Sequence, residues 1–295
     1  MHHSRSTEQG AWLDTLGEFE LIARLTAGLE TRPDVALAAG DDAALLSPSA
    51  DALLMATCDA QVEGQHFLWG VATPEEIGHK ALAVNLSDVA AMGGQPLWAL
   101  VSLLLPASVR VAEVERLYAG MRALARRYDV AIVGGNIATT AGPLAIDVTL
   151  LGQVAPDRAL KRSGGRTGDA LLVTGTLGAA AAGVLVATGR ATAGTISREA
   201  RERVRQAMVA PEPRVAAGQA LAATGAVSAM LDVSDGLAAD LEHLCASSGV
   251  GAIVDAAAVP VDPAAAAVAE DYGRDALELA LFGGEDYELL FAVRP

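Results

Sequence analysis

Six aspartates in this chain sit beside glycine or at the ends of segments that read as strands or helices. They are Asp41 and Asp42 in AAGDDAALL, Asp59 in MATCDAQVEG, Asp88 in VNLSDVAAMGG, and Asp232 and Asp235 in LDVSDGL. Asn136 in VGGNIATT follows the same strand–glycine–oxygen pattern. Taken singly, each has an ordinary structural use, since aspartate is common in turns and as a helix cap. Taken as a set they describe something else. Mg²⁺ prefers hard oxygen ligands and is commonly shared between protein carboxylates and substrate phosphates, while glycine loops open backbone amides to phosphate. Together these are the parts of a nucleotide-dependent phosphoryl-transfer site. Asp88 is the sharpest case. It shares helical phase with Ile77, Ala81, Val84 and Ala91, on a helix that is apolar almost all round. An unpaired buried carboxylate is costly, and the nearby cationic candidates, His79 and Lys80, do not lie three or four residues away.

Composition narrows the partners. The formal net charge is −15, so a phosphate backbone is not the main partner, because nucleic-acid binders need a basic footprint. An acidic protein that handles phosphates needs divalent cations as intermediaries. A P-loop is excluded, because neither lysine, Lys80 or Lys161, lies in a GK[ST] context. The protein-kinase triplets HRD and DFG and the GxSxG elbow are also absent from the sequence. The 2 cysteines, Cys58 and Cys245, make neither a CxxC cluster nor a disulfide framework. Cys245 falls in phase with Leu237, Leu241 and Leu244 and reads as core. Residues 170–189 carry no charge, yet they divide into a strand (ALLVTG) and a small-residue helix (AAAAGVLVATG) rather than forming a membrane span. The start, MHHSRSTEQG, holds no apolar segment, so the expected location is the cytoplasm.

The elements that must position these residues alternate. ALLMAT reads as a strand, residues 75–92 as a helix stopped by Gly93 and Gly94, and WALVSLLL as a buried strand ended by Pro106. VAEVERLYAGMRALARRY is an amphipathic helix, VAIV leads into Gly134-Gly135, and PLAIDVTLLGQV is a long strand. Residues 155–168, rich in Gly, Pro and basic side chains, make the domain boundary. Beyond it come ALLVTG, two or three helices, SAMLDVS, the helix GLAADLEHLCAS, a strand around GAIVDA, and finally YELLFAV. The expectation is a mixed α/β protein of two domains, residues 1–154 and 155–295.

Read together, GEFELI, AGDDAALL, TCDAQVEGQHF, GHKALAVNLSDVAAMGGQPLWALVSLLLP, the RSGG…GD stretch, VTGTLG, PEPRVAAG, DVSDGLAADL and GGEDYELLF resemble the thiamine-monophosphate kinases, in that family's order and over nearly the whole chain. The resemblance implies a superfamily that also contains aminoimidazole ribonucleotide synthetase and selenophosphate synthetase. It implies a homodimer whose N-terminal domains pair their sheets into a β-barrel, with ATP in a cleft and several Mg²⁺ ions. By matching motif, Asp41, Thr57, Asp59, Asp88, Asp232 and Asp235 correspond to Mg²⁺ ligands, with Asp42, Cys58 and Asn136 beside them. Gly135, Asn136, Arg162 and Ser234 fall where the family contacts ATP. His66 and Glu285 fall where it holds thiamine monophosphate. The implied reaction converts ATP and thiamine monophosphate into ADP and thiamine diphosphate without a general base. The alternatives are a catalytically impaired Mg²⁺/ATP-binding homologue and another ATP-using enzyme of the superfamily. Two departures stand out. The family often has aspartate where this chain has Asn136, and it usually continues beyond the YELLFAV strand with a segment whose aromatic helps hold the thiamine moiety.

Overall fold

The computed structural model describes residues 17–39, 42–189 and 196–295. Its elements begin with α1 (Glu18–Thr26), β1 (Val35–Leu37), β2 (Leu45–Leu46), β3 (Leu53–Val62), α2 (Pro74–Ala91) and β4 (Gln95–Pro106). Then follow α3 (Val111–Arg127), β5 (Ala131–Thr140), β6 (Ala145–Val154), β7 (Ala170–Val173), α4 (Ala179–Thr188) and α5 (Arg198–Val209). The chain ends with α6 (Val215–Thr224), β8 (Val227–Asp232), α7 (Leu237–Ser248), α8 (Pro263–Asp271), α9 (Ala276–Phe282) and β9 (Leu289–Val293). The residues form two compact units. Among the described residues, one comprises 17–39, 42–47, 58–82 and 97–150; the other comprises 48–57, 83–96, 151–189 and 196–295.

The helix that carries Asp88 starts and stops on local signals. The Thr73 hydroxyl accepts the Glu76 N–H at 3.3 Å, the Glu76 carboxylate accepts the Thr73 N–H at 2.8 Å, and Pro74 is the first helical residue. At the other end Gly93, at φ +69°, turns the chain while the Gly94 N–H closes on the Val89 carbonyl at 2.9 Å. Ile77, Ala81, Leu82 and Leu86 are all buried, as the all-round apolar pattern requires.

The four-stranded sheet has the order β3-β6-β4-β5. β4 and β5 run parallel, from Trp98 opposite Ala131 to Pro106 opposite Thr140, with α3 as the crossover between them. β6 alternates strictly, with Ile146, Val148 and Leu150 buried and their neighbours half-buried. β5, which begins in the VAIV run, continues through Gly134-Gly135 to Thr140. A register shift opposite Ala99 and Leu100 carries it through the glycines, and a Cβ on Gly135 would meet the Val101 carbonyl oxygen at 1.9 Å. Only glycine lets the strand pass so close.

In the other unit β7, β9 and β8 form an antiparallel sheet in that order, with Val173 opposite Leu290 and Asp232 opposite Leu289. Leu237, Leu241 and Leu244 of α7 pack on Leu231, Val233 and Leu290, and Cys245 lies partly buried against them, as its phase indicated. The strand expected around GAIVDA does not form. Residues 251–255 are irregular and exposed, Ile253 at 98%. A cavity of about 720 Å³ separates Val250–Asp255 from β7, so the β-branched pattern finds no backbone to pair with.

Helix α2 crosses α3 on two glycines. A Cβ on Gly78 would lie 1.9 Å from the Leu117 carbonyl oxygen, and one on Gly120 would lie 1.9 Å from that of Glu75. Glycine costs such helices ~1 kcal/mol in propensity each, so Gly120→Ala would gain that amount at an open site. Here the backbone clash wins. Gly120→Ala should lower unfolding free energy by about 1–3 kcal/mol in urea titrations. Gly251→Ala, whose Cβ would meet nothing within 4 Å, should stay within about 0.5 kcal/mol of the parent.

Candidate functional site

The DVSD turn lies where β8 hands over to α7. Asp232, the last residue of β8, is buried at 5% exposure and accepts a hydrogen bond from the Ser87 hydroxyl at 2.6 Å. Asp88, next along α2, accepts one from the Thr57 hydroxyl of β3. The sequence made Asp88 the buried, unpaired acid. The structure instead leaves Asp88 half-buried and hydrogen-bonded, and puts the deep burial on Asp232. Burial, and then the nearby Asp88 charge, push the Asp232 carboxyl up to about 7, while the Ser87 bond pulls the other way. Two acids and two hydroxyls thus stand together without a cation in the set.

That donor set fits Mg²⁺. Among the described residues no three His, Cys, Asp or Glu side chains gather into a cage for an ion. Mg²⁺ does not need one. It is usually held by one or two carboxylates, with water and substrate phosphate filling the remaining positions. Asp88 and Asp232 could supply such a pair, and a dication would offset the repulsion that helps raise the Asp232 pKa.

Asp235, offered by the sequence as a cap for α7, is exposed. The N-cap of α7 is Gly236 and no side chain caps the helix; Asp240, inside its first turn and passed over by the sequence reading, instead reaches back to the turn. Its buried carboxylate accepts the N–H groups of Asp235 at 3.0 Å and Gly236 at 3.1 Å. Burial raises its pKa, and these backbone bonds oppose the rise. Gly236, at φ +107°, is required where a Cβ would lie 3.0 Å from the carbonyls of Leu281 and Gly283. Ser234 is half-buried, and its carbonyl accepts the Glu285 N–H at 2.8 Å, which ties the GGEDYEL segment to the turn. Glu285 and Tyr287 hold positive φ, +69° and +51°. Arg162 is exposed, and its carbonyl accepts the Ser248 hydroxyl at 3.1 Å.

The other unit carries the remaining residues. Asp42, Gly134, Gly135 and Asn136 line a cavity of about 460 Å³. A second cavity of the same size, bordered by Asp42, Gly135 and Asn136, runs to Phe19, Ile22, Leu25 and Tyr118. Asp41 lies outside the described residues. On β3 the side chains alternate, so Thr57 and Asp59 share one face and Cys58 takes the other. The Cys58 thiol donates to Asp147 at 3.2 Å and accepts from the Thr149 hydroxyl at 3.6 Å. The Thr149 bond lowers its pKa, but Asp147, burial and Asp59 together outweigh it and keep the sulfur protonated. A protonated soft donor is a poor Mg²⁺ ligand, so this geometry favours Thr57 and Asp59 over Cys58. His66 is exposed rather than packed beside Phe67 and Trp69. Its Nδ1 accepts the Val62 N–H at 3.1 Å, and its carbonyl is held by the Lys80 ammonium at 2.8 Å.

The model for AIR synthase related protein, N-terminal domain, matches residues 40–154, and that for the corresponding C-terminal domain matches residues 166–295. Fold and site therefore define a two-domain protein of the AIR synthase related class. Thiamine-monophosphate kinase of Salmonella typhimurium is 42% identical over 279 residues, covering 94% of this chain and 82% of that protein. The crystal structure of thiamine-monophosphate kinase from Stenotrophomonas maltophilia K279a superposes with a TM-score of 0.80 at 41% identity, over 93% of this chain and 84% of that one. The structure of AaThiL complexed with AMPPCP and TMP does so with a TM-score of 0.77 at 35% identity, over 96% and 86%. The chain belongs to the thiamine-monophosphate kinase family.

Asp286 of the GGEDYEL segment accepts the Gly178 N–H at 2.6 Å and the Ala180 N–H at 3.2 Å, at the start of α4. Burial nevertheless pushes its pKa up to about 6, against an ordinary 3.8. Between those values the native state keeps a proton that the unfolded chain has released. Stability therefore falls as pH rises through this window, by up to about 3 kcal/mol. Asp286→Asn should flatten that slope in denaturant titrations between pH 4 and 7; an unchanged slope would contradict the assignment.

Proposed function

We propose that this chain transfers the γ-phosphoryl group of ATP to thiamine monophosphate, forming thiamine diphosphate and ADP. The observation that carries the reading is the likeness to AaThiL complexed with AMPPCP and TMP, combined with the hydroxyl-supported pair Asp88 and Asp232. A phosphate oxygen of thiamine monophosphate attacks the γ-phosphorus in line, the bond to the β–γ bridging oxygen breaks, and ADP leaves. The acceptor oxygen is already anionic at neutral pH, so no base has to remove a proton. The task left to the protein is to align two anions and neutralise their repulsion.

In this reading Asp41, Thr57, Asp59, Asp88, Asn136, Asp232 and Asp235 would hold Mg²⁺, which would supply positive charge to the reacting phosphates. Gly135, Asn136, Arg162 and Ser234 contact ATP. The apolar cavity that runs from Asn136 past Ile22 and Tyr118 has the size and lining for the nucleoside. His66 and Glu285 hold thiamine monophosphate. Residues 1–154 and 155–295 are the working domains, and the protein acts as a cytoplasmic homodimer. The exposed Leu53, Leu54 and Leu104 on β3 and β4 support pairing through the four-stranded sheet. Among the described residues no helix is long and apolar enough to cross a membrane.

Chromatographic product analysis with ATP, Mg²⁺ and thiamine monophosphate tests the reaction. Thiamine diphosphate and ADP should appear in equal amounts, and Asp232→Asn should lower kcat by about 100-fold or more while leaving the fold intact. ATP binding without thiamine diphosphate would overturn the reading in favour of an impaired homologue. Asn136 carries an oxygen but no charge. Asn136→Asp should therefore lower the Mg²⁺ concentration for half-maximal rate several-fold, measured by metal titration at saturating ATP.

A further inference from the structure

Three of the sequence motifs have no part in the chemistry above: VTGTLG, PEPRVAAG and the final glutamate of GGEDYEL. The fold brings them together. Glu288 is buried at 4% exposure, and its carboxylate receives the Arg214 guanidinium through two nitrogens, Nε at 2.7 Å and the second at 2.5 Å. The Thr174 hydroxyl donates to the same carboxylate at 2.6 Å and accepts the Leu289 N–H at 2.8 Å. Gly175, at φ +58°, leaves the room: a Cβ there would lie 2.2 Å from a Glu288 carboxylate oxygen. The backbone of this clamp is bonded directly to the turn. The Val233 N–H donates to the Glu288 carbonyl at 2.7 Å, the Tyr287 N–H to the Val233 carbonyl at 2.9 Å, and the Glu285 N–H to the Ser234 carbonyl at 2.8 Å.

We infer that Glu288, gripped by Arg214 and Thr174, is a positioning residue that sets the register of residues 285–288 against residues 232–234. It thereby fixes where Asp232, Ser234 and Glu285 present their side chains. The inference rests on the functional reading above. A planar fork on a carboxylate fixes direction as well as distance, and an ammonium cannot replace it. Stability alone would not need a buried ion pair, since an apolar pair of similar volume often serves as well or better. Two residues at positive φ in the same segment show that its backbone path is imposed by surrounding contacts rather than by local preference.

The test compares Arg214→Lys and Glu288→Gln with Val268→Ala, a substitution in the separate core formed by α4, α5 and α8. Arg214→Lys keeps the charge and loses the fork. Both clamp variants should lower kcat about tenfold at saturating substrates and raise about tenfold the Mg²⁺ concentration needed for half-maximal AMPPCP binding by calorimetry. Val268→Ala, at a comparable loss of unfolding free energy, should leave both quantities as in the parent. The inference is overturned if the clamp variants keep the parental Mg²⁺ response, or if Val268→Ala shifts it equally. Should Glu288→Gln fail to fold, Thr174→Val removes one bond of the clamp and should give a smaller shift in the same direction. If the parent protein makes no thiamine diphosphate, the kinase reading fails, and the calorimetric comparison still decides the positioning role.

Discussion

The cost of placing Asp232 out of water next to Asp88 governs the surroundings of both. Burial and like charge each oppose ionisation, and the adjacent groups answer with hydroxyl donors, Ser87 on one acid and Thr57 on the other. Hydroxyls soften that cost without supplying charge. Such a pair could balance a divalent cation bound together with phosphate, which is what the proposed reading asks of it. An arginine at the same position would have made a stable ion pair and closed the site to metal.

This acidic chain also uses carboxylates as fixed ligands for its own backbone. Asp240 holds the N–H groups of Asp235 and Gly236, Asp286 holds those at the start of α4, and Glu288 anchors the segment paired with Val233. These acids are separated by role through their partners. Those bonded to N–H groups or to a guanidinium hold the fold, whereas Asp88 and Asp232, each bonded to a hydroxyl, are the pair proposed for a metal. Residue type alone does not make that distinction, because the partners come from elements far apart in the chain.

Glycine completes the construction by letting backbones approach where a Cβ would collide. Gly135 lies against Val101, Gly236 against Leu281 and Gly283, and Gly284 against Ser234, whose carbonyl oxygen a Cβ there would meet at 2.4 Å. In each place the close approach either lets β5 pass its neighbour or holds the turn that carries Asp232 and Asp235, which are proposed as metal ligands.

The sequence by itself determined the order of the elements from β3 to α7, the extent of α2 and the set of acids that are proposed as ligands. These follow from short-range rules: the Thr73–Glu76 capping box, the glycine stop at Gly93, the strict alternation of β6, and aspartates next to glycine. It also carried the family resemblance, because the motifs are local strings. Only the tertiary structure decided that Asp232 rather than Asp88 takes the deep burial, that Asp240 holds the N–H groups of Asp235 and Gly236, and that Cys58 stays a thiol against Asp147. It also decided that GAIVDA forms no strand, and that Arg214, Thr174 and Glu288 meet. Each of these depends on a partner dozens of residues away, or on an edge being within hydrogen-bond reach. No periodicity or spacing along the chain encodes such a distance.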